Sequence, residues 1–220
     1  MEHTQHEGLE KFLLLDLEKR ERIINAAMAE FATGYKKAST DNIVRAAGIS
    51  KGLLFHYFGT KERLYEFVID YAIDTVQHEF VDLLNISQPD ILEFIMQASL
   101  LKGDLSQRFP MTFDFLAKVY VEAAEMGVSR ERLQHFMQIQ GKIRAEAYAN
   151  ADFSLFRGDI DPEKAINAIW WSLEGWANAL SGQLQVSGEN ISVRENYDKY
   201  LAQCEEYLAM FRCCFYKQQD

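Results

Sequence analysis

Between Ser39 and Leu64, two serines, three glycines and a run of basic side chains stand at spacings that suit recognition chemistry rather than bond breaking. Ser39 fits an N-cap, where its hydroxyl accepts an orphan backbone N–H of a first helical turn. Ile43, Ala46 and Ala47 then recur at i, i+3 and i+4, an apolar stripe for a short helix. Gly48 fits the position that ends such a helix, because it enters the left-handed region at little cost. Ser50 caps again two residues later. A connection that short forces the second helix to cross the first steeply, as in a helix-turn-helix. One face of that second helix is then free to enter a DNA major groove.

Charge is placed unevenly along the 220 residues. The whole chain carries −10, which by itself argues against a polyanionic partner. From Gly34 to Arg63, however, there are six basic and two acidic residues, against 13 basic and 24 acidic from Glu66 to the end. A polyanion is attracted to one end and repelled by the rest. A small reading head on a larger acidic body is the expectation; a solvated charged surface is the plainer alternative.

The supporting elements read as helices throughout. The chain is 48% hydrophobic with three prolines and twelve glycines, and strand-like alternation is nearly absent. A first helix is expected over about Asp16 to Ala32, preceded by residues 1–15 as a mobile extension. A fourth begins after Thr60 and reaches Leu84. Pro89 suits the first turn of a fifth. Further helices are expected from Met111 to Met126 and from Ser129 to Tyr148. Asp161-Pro162-Glu163 opens another, with Asp as cap and Pro at the first helical position. No apolar run approaches the length of a membrane span, and Asp16 and Glu18 cut the Phe12–Leu15 run short of a signal-peptide core, so a cytoplasmic location is expected.

Residues Ile23 to Leu64 resemble the DNA-binding domain of the TetR family of bacterial transcriptional regulators. The resemblance is carried by Ile23-Ile24-Asn25-Ala26-Ala27 with Phe31, by Gly34-Tyr35, by the Ser39–Phe58 run and by Lys61-Glu62-Arg63-Leu64. It covers about a fifth of the chain. It implies that Lys51, Gly52, Leu53 and Phe55 start the recognition helix and face the groove, and that Thr40, Tyr57 and Lys61 touch phosphate. Gly52 would let the backbone approach DNA closely, and Leu53 could meet a thymine methyl. His56 either bonds a phosphate or base edge, or acts as a cation near the negative helix end. With the cap Ser39, the expected DNA-binding set is Ser39, Thr40, Lys51, Gly52, Leu53, Phe55, His56, Tyr57 and Lys61. Phe55 stands where the family commonly has tyrosine, so one hydroxyl is missing.

The expected architecture is all-α: a helix-turn-helix head over residues 1–64 and a helical effector-binding and dimerisation body over 65–220. The family resemblance implies a small-molecule effector in the body, and Met96, Phe113, Phe136, Met137 and Trp170 are candidates to line its site, with plain core as the other reading. It also implies dimerisation through the last two helices. Ile166, Ile169 and Leu173 of one, and Leu201, Cys204, Leu208, Phe211 and Phe215 of the other, recur at three- and four-residue steps. They form a dimer seam or close the monomer core.

Three cysteines, Cys204, Cys213 and Cys214, make no disulfide framework. His3 and His6 have too few partners for a metal site, and no catalytic constellation, phosphate loop or cofactor motif is present. The function expected is a homodimeric regulator that binds a palindromic operator in double-stranded DNA, most simply a repressor released by its effector. A helical DNA-associated module with an organising role is the alternative.

Overall fold

The computed structural model describes residues 2–122, 130–186 and 197–218. Ten α-helices hold about four fifths of them: α1 (Glu2–Leu13), α2 (Leu17–Phe31), α3 (Thr40–Ala47), α4 (Lys51–Phe58), α5 (Lys61–Glu79), α6 (Ile91–Arg108), α7 (Pro110–Glu122), α8 (Arg130–Asn150), α9 (Pro162–Val186) and α10 (Tyr197–Phe215). Among the described residues there is no strand, only an isolated antiparallel bridge between Phe156 and Tyr216. None of the described helices is long and apolar enough to cross a membrane.

The helix boundaries have local causes. Asp16 caps α2 by accepting from Lys19 N–H at 2.8 Å. Asp161 caps α9 by accepting from the N–H groups of Glu163 and Lys164, with Pro162 at the first helical position. Three expectations need correcting. Residues 2–13 are a helix rather than a mobile tail, because Phe12 is fully buried. Helix α5 stops at Glu79, and the chain turns through a 3-10 segment at Val81–Leu83 instead of continuing to Leu84. Pro89 lies outside α6; Asp90 is the cap, accepting from Leu92 N–H at 2.9 Å. Ser129 and the expected helix end at Met126 lie outside the described residues.

Contacts divide the chain into two compact units that do not follow chain order. One comprises Met1–His78 and Phe109–Met137, the other Glu79–Arg108 and Gln138–Asp220. In the first, Ile23, Ile24, Ala27, Met28 and Phe31 of α2 are buried with Ile43, Leu54, Leu64, Tyr65, Val68 and Phe115. Phe31, Tyr35, Tyr65 and Phe115 form an aromatic group with centroid distances from 4.8 to 6.5 Å, in which Tyr65 meets Phe31 and Phe115 edge to face and Tyr35 stacks on Phe31. Arg132 of α8 holds α5 through Asp70 at 2.6 Å and Glu66 at 3.6 Å.

The second unit buries Ile91, Leu92, Phe94 and Ile95 of α6 against Ile166, Ile169 and Leu173 of α9 and Cys204, Leu208 and Phe211 of α10. Asp90 fastens the two ends of this unit's chain. Besides capping α6, its carboxylate accepts from Tyr216 Oη and pairs with Arg212, both at 2.9 Å. The Tyr197 hydroxyl donates to the Ser99 carbonyl, with its ring against Gly103, where any Cβ would collide with it.

Candidate nucleic-acid interface

The reading unit is built from the ends of α3 outward. Ser39 Oγ accepts from Asp41 N–H at 3.3 Å, and Gly48 closes the helix with φ +66°, a conformation that disfavours a Cβ. Two side chains of α2 hold the same helix at both ends. Glu30 Oε1 accepts from Ser39 N–H at 2.8 Å and from Asn42 Nδ2 at 3.1 Å. At the other end, Arg22 Nε donates to the Ala47 carbonyl at 2.9 Å. A carboxylate at the N-terminus and a guanidinium at the C-terminus both match the helix dipole. Nothing in the local spacing of Glu30 or Arg22 marks a clamp reaching to another helix.

Ser50 Oγ accepts from Leu53 N–H at 3.2 Å and starts α4 two residues after Gly48. Burial then sorts the eight residues of α4 by face. Leu54, Tyr57 and Phe58 are buried; Lys51, Gly52 and His56 are exposed; Leu53 and Phe55 are half-buried. The open face therefore carries Lys51, Gly52, Leu53, Phe55 and His56. Ile43 and Ala47 of α3 are buried, while Ala46 is exposed.

Gly52 has no packing reason to be glycine. A Cβ there would meet nothing within 4 Å, and its φ is not positive. Glycine inside a helix costs roughly 0.5–1 kcal/mol relative to alanine. The fold leaves room for a side chain there.

Basic side chains on this surface are already engaged. Lys51 Nζ lies 2.9 Å from Asp41 Oδ1. Lys61 Nζ donates to the Tyr35 carbonyl at 2.6 Å and the Ala38 carbonyl at 2.5 Å, and sits over the Tyr35 ring. That leaves one of its three N–H donors for an incoming phosphate. Thr40, half-buried, is the first residue of α3. Tyr57 is buried through its ring, against Phe12 and Phe58. Among the described residues no buried side-chain oxygen lacks a partner, and the Tyr57 hydroxyl bonds to none, so its oxygen reaches the surface.

The remaining candidates separate. Met96 and Trp170 belong to the second unit, half-buried, with the Arg144 guanidinium 5.2 Å from the Trp170 ring. Phe113, half-buried, and Met137, exposed, belong to the first. The Phe136 side chain lies outside the described residues.

Most of the residues expected at a dimer seam are buried within the chain itself. Ile166, Ile169, Leu173, Cys204, Leu208 and Phe211 are core of the second unit, and Leu201 and Phe215 are half-buried. An apolar helix face is satisfied first by helices of its own chain, and here α6 takes it. The outward faces are different residues: Trp171 and Gly175 on α9, and Ala202, Glu206, Ala209, Met210 and Cys213 on α10. Cys204, buried and 3.7 Å from Ser99 Oγ, has its thiol pushed up by desolvation, whereas Cys213 and Cys214 are exposed.

Residues 23–68 match the model for bacterial regulatory proteins of the tetR family. No curated protein is detectably similar in sequence to the chain. Solved structures share its fold. A TetR family transcriptional regulator from Chloroflexus aurantiacus is 18% identical, with 95% of this chain and 98% of that one aligned at a TM-score of 0.55. SmeT, the repressor of the Stenotrophomonas maltophilia multidrug efflux pump SmeDEF, is 16% identical, with 90% and 91% aligned at 0.55.

Proposed function

Starting from a tetR-family head at residues 23–68 and the fold of TetR family transcriptional regulators, we propose that this chain is a homodimeric regulator that reads a palindromic operator with α4 and is released from it by a small molecule. The observation that carries this reading is the open face of α4. Lys51, Gly52, Leu53, Phe55 and His56 lie together there, and the glycine among them has no use within the fold.

Each residue has a distinct task. Gly52 admits the sugar-phosphate backbone or a base edge close to the helix axis. Leu53 and Phe55 offer apolar contact to thymine methyls, since they have no donor to spend on a base. Lys51, Lys61, Thr40 and the Tyr57 hydroxyl bind phosphates, which fixes register. Ser39 caps α3 through the Asp41 N–H and so fixes the helix start at which Thr40 stands. His56 is the exposed group at the far end of the reading face.

A two-fold dimer places two such helices one DNA turn, about 34 Å, or more apart. The outward faces of α9 and α10, with Trp171, Gly175, Ala209 and Met210, are the surface we assign to the partner. An effector taken up by the helical body acts by binding better to the arrangement that does not fit the operator, which shifts the population and weakens DNA binding reciprocally. By analogy with SmeT, the sign of regulation is repression.

Selection of bound sequences from random duplex DNA at two salt concentrations tests this. Recovery of one palindrome, bound more weakly as salt rises, is the expected result. Binding without any recovered motif would refute the reading.

A further inference from the structure

The helix α1 lies outside the segment that matches the family, which begins at residue 23, yet it is packed on the recognition helix. At Gly8, a Cβ would collide with the His56 carbonyl oxygen and stand 3.0 Å from that of Tyr57. Two backbones therefore meet directly, with the glycine hydrogen pointing at an acceptor where any side chain would force the helices apart. One turn later Phe12 is fully buried, its ring centroid 5.6 Å from that of Tyr57, 4.8 Å from Phe58 and 5.4 Å from Phe67. Glu7, exposed on the same helix, is paired with Lys11 at 2.8 Å. The Lys11 ammonium, and to a smaller degree His56, hold its carboxyl below the usual carboxylate range.

A helix of eight residues is too short to hold its shape alone, so α4 takes its order from its neighbours. Its first turn is fixed by Ser50 and by the α3 junction. Its last turn, which carries His56 and Tyr57, rests on α1. We propose that α1 is a working part of the DNA-reading head, with Gly8 and Phe12 as positioning residues that seat the C-terminal half of α4 and so set affinity and selectivity for the operator. This rests on α4 being the reading helix.

The consequence for Tyr57 is specific. Phe12 and Phe58 clasp its ring from two sides while the hydroxyl stays at the surface, so the phenol is held at one height for a phosphate. Removing α1 from its seat deletes no DNA-facing side chain but lets the last turn of α4, with His56 and Tyr57, fray. Apparent affinity then falls by the fraction of time the turn is formed.

The test uses the full chain as wild type, Gly8→Val, Phe12→Ala and Phe12→Leu. Each is titrated on the palindrome that wild type selects and on a scrambled duplex of equal composition, with amide exchange read over Lys51–Phe58. Gly8→Val and Phe12→Ala are expected to lose about tenfold in affinity for the palindrome, as for a turn formed a tenth of the time. Affinity for the scrambled duplex should fall by a smaller factor, since it loses only the Tyr57 phosphate contact, exchange in the last turn of α4 should quicken, and Phe12→Leu should recover most of the loss. Unchanged palindrome affinity in both variants overturns the proposal, as does an equal loss on both duplexes. Should Gly8→Val fail to fold, Gly8→Ala replaces it under the same criteria. Failure of wild type to select any palindrome is a separate result, against α4 as the reading helix.

Discussion

The Lys51 ammonium lies 2.9 Å from Asp41 Oδ1, so the first basic side chain of α4 is tied to the first turn of α3 before any DNA arrives. Both side chains are more than half exposed, and a pair of that kind contributes about 0–1 kcal/mol to stability. Its larger effect is on binding, because a phosphate that takes Lys51 must displace a carboxylate.

Asp41→Asn should therefore tighten DNA binding, by about two- to fivefold if the pair is worth up to 1 kcal/mol. Lys51→Ala should weaken it across sequences and reduce the slope of log affinity against log salt by about 1. Anisotropy titrations over a salt series read both. No effect of Asp41→Asn with a normal Lys51→Ala would mean the pair dissolves freely in solution.

Gly52→Ala should move stability and binding in opposite directions. The added methyl meets nothing within the fold and improves helix propensity, so unfolding in urea should cost roughly 0.5–1 kcal/mol more. Operator affinity should fall, since the methyl stands where DNA approaches. A variant that binds as tightly as wild type removes the argument from close approach.

The clamp on α3 predicts a paired stability loss. Glu30→Ala strips an acceptor from Ser39 N–H and Asn42, and Arg22→Ala strips a donor from the Ala47 carbonyl. Each should cost about 1–2 kcal/mol in chemical denaturation, the usual range for losing a cap or a charge-assisted bond.

Alkaline pH should unfold the second unit through its tyrosines. Burial pushes Tyr200 up to about 12 and raises Tyr197 and Tyr216 as well, the last helped by its bond to Asp90. A raised folded pKa means that the neutral phenol is favoured by folding. The stabilisation is complete below the unfolded value of 10.0 and is lost as pH climbs through the folded one. For Tyr200 alone this is about 3 kcal/mol. Tyrosinate absorbance and urea midpoints between pH 9 and 12 check it; a flat midpoint over that window is the contrary result.

Dimer disruption should follow the outward face and spare the inward one. Met210, 48% exposed on α10, changed to Glu should raise the dimer dissociation constant about tenfold or more while leaving the monomer folded. Phe211→Asp buries a charge in the core and should unfold the unit instead. Sedimentation with circular dichroism separates the two outcomes.

By itself the sequence determined what local chemistry determines. Ser39, Gly48 and Ser50 fix two short helices and a turn through caps and a left-handed backbone position, and these depend on neighbours within a few residues. Asp161-Pro162 announces α9 for the same reason. Periodicity alone, however, could not say what an apolar face is packed against. Phe211 and Ile169 read equally well as seam or core, and only tertiary packing against α6 decided for core. The clamp of Glu30 and Arg22 on α3 spans nine and 25 residues of sequence and has no local signature. The same holds for α1. Phe12 sits in a short apolar run cut off by Asp16, and nothing in that run shows that it closes over Tyr57, a contact 45 residues away that exists only because the chain folds back on its recognition helix.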